Sequence, residues 1–162
     1  MTRTTHVLFL CTGNTCRSPL AAGLLARVLA ERRMDGVTVG SAGTDALEGA
    51  PVSEGSYLVG LERGIDLSGH RATPLTGPLI AGATLVLGMT SRHVDRARAL
   101  DPGIPAHLLS AFAGAPAVDV PDPFGGDITS YRDMLDHLEP LVTGVADRLA
   151  ADAAGDEERR TR

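Results

Sequence analysis

The chain has 162 residues, 43% of them hydrophobic and 22% charged, with a formal net charge of −5 at pH 7. That length and apolar content suit one domain with a sizeable core, and the acidic balance argues against general attraction to nucleic acid or to an anionic membrane surface. No run reaches the ~18 consecutive apolar residues of a membrane span and the N-terminal apolar stretch is too short for a secretory signal, so a cytoplasmic protein is expected.

Residues 6–10 (HVLFL) form a short continuous apolar run, as expected of a central strand covered on both faces. The polar turn CTGNTCRSP follows at residues 11–19. Ser18 is an N-cap candidate with Pro19 at the first helical position, and Leu20, Leu24, Leu25, Val28 and Leu29 recur at helical spacing, which predicts a helix ending near Arg33. VTVGSAG at residues 37–43 reads as a second strand leaving through glycine, and residues 52–63 as a helix stopped by Gly64. Residues 70–83 read as a loop with one short helical piece, residues 84–89 as a strand, and residues 91–100 as a helix. A weaker strand near 106–110 leads into the loop VDVPDPFGGD and a long helix over about 129–150, which Pro140 should kink or break. The last residues, 151–162, lack apolar periodicity and are expected to fray, leaving residues 1–150 as a single domain. Strands alternating with helices imply a mostly parallel sheet with helices on both faces. Ligands on such sheets bind at the carboxyl ends of the strands, and Cys11 falls there.

All 15 basic residues are arginine, so the lysine of a Walker A loop is missing and nucleotide binding of that type is excluded. The turn at residues 11–19 is chemically richer. A sulfur facing a helix N-terminus beside a cation favours the thiolate, which places Cys11 as a nucleophile with Arg17 nearby. The backbone N–H groups of residues 12–17, curled around one centre, would form an anion nest of Thr12, Gly13, Asn14, Thr15, Cys16 and Arg17, and the Arg17 fork matches two phosphate oxygens. Gly13 lets the chain approach closely, Asn14 tolerates a left-handed conformation, and the Ser18 hydroxyl can donate to the sulfur. The same residues also read as an ordinary strand-to-helix connection with a buried cysteine, as a disulfide pair, or as half of a zinc site lacking two further ligands. Asp122 in PDPFGG, stiffened by flanking prolines, could deliver a proton to a leaving group, or could belong to a plain Asp-Pro turn like the one at Asp101 and Pro102.

The whole string resembles the low molecular weight protein tyrosine phosphatase family, whose motif C-x-G-N-x-C-R-S-P is matched by Cys11, Gly13, Asn14, Cys16, Arg17, Ser18 and Pro19. The resemblance continues through SAGT (41–44), GIDLSGHRA (64–72), LVLGMT (85–90) and PDPFGG (121–126). It implies a flavodoxin-like three-layer sandwich with a four-stranded parallel sheet, and hydrolysis of phosphorylated protein side chains without metal or other cofactor. In that implied reaction Cys11 attacks phosphorus, Arg17 and the nest bind the oxyanion, and Asp122 acts as general acid and then base, releasing inorganic phosphate. Asn14, Ser18, Ser41 and His70 match a hydrogen-bonded network that holds the loop, and Cys16 matches a second cysteine that can pair with the nucleophile under oxidation. Tyrosine-directed members commonly carry two tyrosines after the acid-loop Asp-Pro and an apolar residue before the second loop cysteine. Here those positions read Phe124-Gly125 and Thr15, and CTGNTCRSP with DPFGG is similar to the bacterial protein arginine phosphatases, in which the threonine helps select phosphoarginine. Asp45 departs from that branch, where a wall residue is apolar or aromatic. A tyrosine phosphatase is the main rival. An arsenate reductase would need relay cysteines, and none follows Cys16; a non-catalytic phospho-ligand module would bind phosphate without turnover.

Overall fold

The computed structural model describes residues 4–162. Strand β1 (Thr5–Cys11) sits inside a four-stranded sheet of order β2-β1-β3-β4, with β2 at Val37–Gly43, β3 at Leu85–Gly88 and β4 at Ala106–Leu108, and every pairing is parallel. The apolar run in β1 divides by the strand period of two. Val7, Phe9 and Cys11 face a core built with helix α1 (Arg17–Glu31), helix α2 (Glu54–Glu62) and helix α6 (Ile128–Arg160), while Leu8 and Leu10 face a second core with α3 (Gly77–Ala81) and α4 (Ser91–Leu100). Phe9, Leu10, Leu20, Leu25, Leu135 and Val145 are fully buried, and at ~25 cal/mol per Å² each such side chain favours the closed sandwich by roughly 1.5–3 kcal/mol. The layers are those of a flavodoxin-like fold, as the motifs implied. Its switch point lies between β1 and β3, where the chain leaves toward α1 on one face and α4 on the other. Among the described residues no helix is long and apolar enough to cross a membrane.

Four local expectations are corrected. The N-cap of α1 is Cys16 rather than Ser18, whose hydroxyl turns toward Cys11 instead of capping. The weak strand expected over residues 106–110 stops at Leu108, and residues Leu109–Phe112 form the short helix α5. Pro140 does not break α6. A proline inside a helix costs about 3 kcal/mol, which is outweighed by the buried row Leu138, Leu141, Val142, Val145, Ala146 and Leu149 on either side of it. Residues 151–160 are helical too, not frayed. Their support is local: Arg159 pairs with Asp156, and Arg159 and Arg160 place positive charge at the negative end of the helix.

Candidate active site

Residues 12–16 leave the carboxyl end of β1 and enter α1 as a tight curl, and four carbonyls from Cys11 to Thr15 are tied to neighbouring segments. Cys11 O accepts from Thr44 N (3.0 Å), Thr12 O from Asp45 N (2.9 Å), and Thr15 O from Ser53 N (2.9 Å). Asn14 O accepts from His70 Nε2 at 2.7 Å, which puts the ring hydrogen on that nitrogen. Among the described residues no group accepts from the N–H of residues 12–16. With the carbonyls anchored outside, those donors converge on the interior of the curl, and Asn14 takes the left-handed φ of 55° that this turning requires. Gly43, at the end of β2, is the enabling neighbour, because a Cβ there would lie 2.5 Å from Thr12 O and 2.9 Å from Asn14 N.

A chain of assigned hydrogen bonds runs from the loop wall to the sulfur. Thr73 N donates to Asn14 Oδ1 (2.9 Å), which fixes the amide and leaves Nδ2 to donate to Ser18 Oγ (2.8 Å) and Ser41 Oγ (2.9 Å). With Cys11 as the thiolate, the Ser18 hydroxyl is the donor across the 2.9 Å to Cys11 Sγ. A donor so aimed stabilises negative charge on that sulfur. Asn14 and Ser18 are fully buried, so the network competes with little water.

Arg17 is 4% exposed and donates through Nη1 to Val120 O at 3.1 Å, while Nη2 stands 3.5 Å from Asp122 Oδ2. Its Nε, also buried, has no partner among the described residues. An unpaired buried guanidinium N–H costs roughly 1–3 kcal/mol, and an anion seated on the loop would satisfy it. Val120 also donates from its N–H to Met89 O (2.8 Å), so the acid loop is pinned beside β3 before it reaches Asp122. Asp122 is half-exposed and accepts from Phe124 N at 3.0 Å, and Gly125 takes a φ of 80° to close the turn.

A cleft of about 470 Å³ opens over the loop, lined by Thr12, Arg17, Asp45, His93 and Asp122 among others. Cys11, Arg17 and Asp122, with the positions 12–16, Ser18, Ser41 and His70, therefore meet at one strand end, and Asp45 joins them. Phe124 does not line this cleft. It is 79% exposed and borders a neighbouring hollow with Met134 and His137 on the far side of the acid loop. The Thr15 hydroxyl lies 3.8 Å from Cys16 Sγ. Cys16 is a free thiol that donates to Ser53 Oγ (3.1 Å) beside Tyr131. Ser53, Tyr131 and His93 are site neighbours that no motif announced. The one signal for His93 was its place three residues after Thr90, at the third position of a helix.

Residues 6–155 match the family model described as low molecular weight phosphotyrosine protein phosphatase. A protein-arginine-phosphatase from Geobacillus stearothermophilus is 41% identical over 146 residues, 89% of this chain and 95% of the relative. The solved structure of YwlE arginine phosphatase from Geobacillus stearothermophilus superposes with a TM-score of 0.85 at 39% identity, covering 93% of this chain and 96% of that one. A YwlE arginine phosphatase variant with cysteine replaced and a phosphorylated active-site serine superposes equally, with a TM-score of 0.85 at 35% identity, over 91% of this chain and 97% of that one.

Proposed function

The chain belongs to the low molecular weight phosphotyrosine protein phosphatase family, and we propose that it is a cysteine-dependent protein phosphatase acting on phosphoarginine. The observation that carries the chemistry is Cys11 Sγ, held at 2.9 Å by the Ser18 hydroxyl at the base of a ring of free N–H donors. In the first step the Cys11 thiolate attacks phosphorus, the bond from phosphorus to the leaving nitrogen breaks, and Asp122 gives its proton to that nitrogen. The product is a phosphocysteine and a free guanidine. In the second step the Asp122 carboxylate takes a proton from water, the water oxygen bonds to phosphorus, and the S–P bond breaks to return the thiolate and release phosphate. Arg17 and the N–H groups stabilise the equatorial oxygens in both steps. The phosphorylated active-site serine of the YwlE variant supports a phosphoryl group on the position held here by Cys11.

Substrate choice rests on the relatives' printed activity and on Thr15. Its hydroxyl can accept a guanidino N–H, and leaving that donor unpaired in a closed site costs roughly 1–3 kcal/mol. Thr15→Ile should therefore lower the phosphoarginine rate about tenfold while gaining apolar contact with a phenyl ring. A tyrosine-directed enzyme is the second reading, favoured by the description of the family itself.

The general-acid assignment is tested by Asp122→Asn. Its kcat on a phosphoarginine peptide should fall by a factor of ~10² or more, the usual worth of a positioned proton donor, with phosphocysteine formation slowed in single turnover. A kcat within threefold of wild type would remove Asp122 from the mechanism.

A further inference from the structure

His93 opens α4 and is buried to 3% exposure, yet both of its ring nitrogens are bonded. Nδ1 lies 3.0 Å from Thr90 N and Nε2 lies 3.0 Å from Thr12 Oγ1. A backbone N–H can only donate, so Nδ1 is the acceptor and the ring hydrogen sits on Nε2, from which it donates to the Thr12 hydroxyl oxygen. Burial, reinforced by the Arg17 guanidinium, depresses the His93 pKa to about 4 against the opposing pull of Asp119, Asp122 and Asp45. The ring is neutral at working pH, and this tautomer is the one the fold selects.

The consequence falls on Thr12. Its oxygen already receives the His93 hydrogen, so its own hydroxyl hydrogen must point away from the ring, and Thr12 is an exposed residue on the cleft wall beside Arg17 and Asp122. Gly88 at the end of β3 permits the arrangement, since a Cβ there would lie 2.9 Å from Val94 Cγ2 and 3.1 Å from His93 Cβ. We propose that His93 is a positioning residue that turns the Thr12 hydroxyl into the cleft as a donor to a phosphoryl oxygen, adding one side-chain donor to the ring of backbone N–H groups. The proposal rests on the phosphatase reading and deepens it.

Asparagine and glutamine separate the two ends of the bridge. In His93→Asn the short amide can still accept from Thr90 N–H, but nothing reaches Thr12; in His93→Gln the longer amide can donate to Thr12 and the Thr90 contact is given up. We would measure the dissociation constant for inorganic phosphate by calorimetry, and kcat/KM on para-nitrophenyl phosphate, in wild type, Thr12→Val, His93→Asn, His93→Gln and the Thr12→Val/His93→Asn double variant. Thr12→Val and His93→Asn should each weaken phosphate binding roughly tenfold and lower kcat/KM comparably, the usual worth of a hydrogen bond to a charged group. The double variant should lose no more than either single one, and His93→Gln should recover most of the affinity. Unchanged phosphate affinity in Thr12→Val, or effects that multiply in the double variant, would overturn the proposal. Should His93→Asn fail to fold, Thr12→Val at an exposed position and His93→Gln decide it. A wild type that binds phosphate but turns over no phosphorylated substrate would sink the phosphatase reading alone, because phosphate affinity across the same proteins still tests the bridge.

Discussion

Cys11 is 2% exposed, so its reactivity depends on the few donors that meet it. Cys11→Ser should abolish turnover and leave phosphate binding measurable by calorimetry, because the N–H groups and Arg17 remain while a hydroxyl is too weak a nucleophile. Retained activity above a few per cent would exclude a phosphocysteine. His93 carries a second expectation at this scale. Its pKa drops from the ordinary value near 6.5 to about 4 on folding, so as pH falls through 6.5 the unfolded chain takes the proton first. The fold is fully stabilised by this group above 6.5, and that contribution is lost as pH falls toward 4, by up to about 3 kcal/mol. Denaturation at pH 7 and pH 4.5 should show a larger loss in wild type than in His93→Asn; parallel curves for the two would contradict it. The meeting of Cys11, Arg17 and Asp122 at one strand end was legible in the sequence, because Cys11 and Arg17 share one turn and Asp122 lies in a motif. His93 was not, since it meets Thr12 across 81 positions and no periodicity encodes that contact.

Between elements, what builds the site is the end of one strand pressed on the loop leaving another. Gly43 pairs with Cys11 in the parallel ladder, and its missing side chain lets Thr12 O and Asn14 N approach. Both would-be contacts are backbone atoms that cannot rotate away. Gly43→Ala should therefore destabilise the fold by about 1–3 kcal/mol and reduce kcat/KM at least tenfold by shifting the loop. Wild-type stability together with wild-type kcat/KM would show that the loop tolerates displacement. The bounds of β2 were legible to the residue, because Val-Thr-Val and the exit through glycine give strong strand and turn signals together. The ends of α6 were not. Apolar periodicity locates a buried face, and the helix runs past Ala151 on charge pairing and intrinsic propensity after that face has ended. Ser18 misled for a related reason: a serine before proline has the composition of a cap, but here its hydroxyl is engaged by Asn14 and Cys11.

Across the molecule, the order β2-β1-β3-β4 brings the loop after β1, the start of α4 after β3, and the acid loop before α6 to one end of the sheet. The alternation of strands and helices predicted that convergence, and the motif at residues 11–19 predicted what would stand there. Which substrate enters is decided by atoms beyond phosphorus: the family description names phosphotyrosine, whereas the Geobacillus stearothermophilus relative at 41% identity is a protein-arginine-phosphatase. Asp45 stands on the cleft wall, where the arginine-directed branch has an apolar or aromatic residue. The decisive measurement is kcat/KM for one peptide carrying phosphoarginine and the same peptide carrying phosphotyrosine, assayed in parallel with the wild-type protein. A ratio of at least about tenfold in favour of phosphoarginine is predicted, the difference one well-placed hydrogen bond makes; a protein faster on phosphotyrosine would contradict the account.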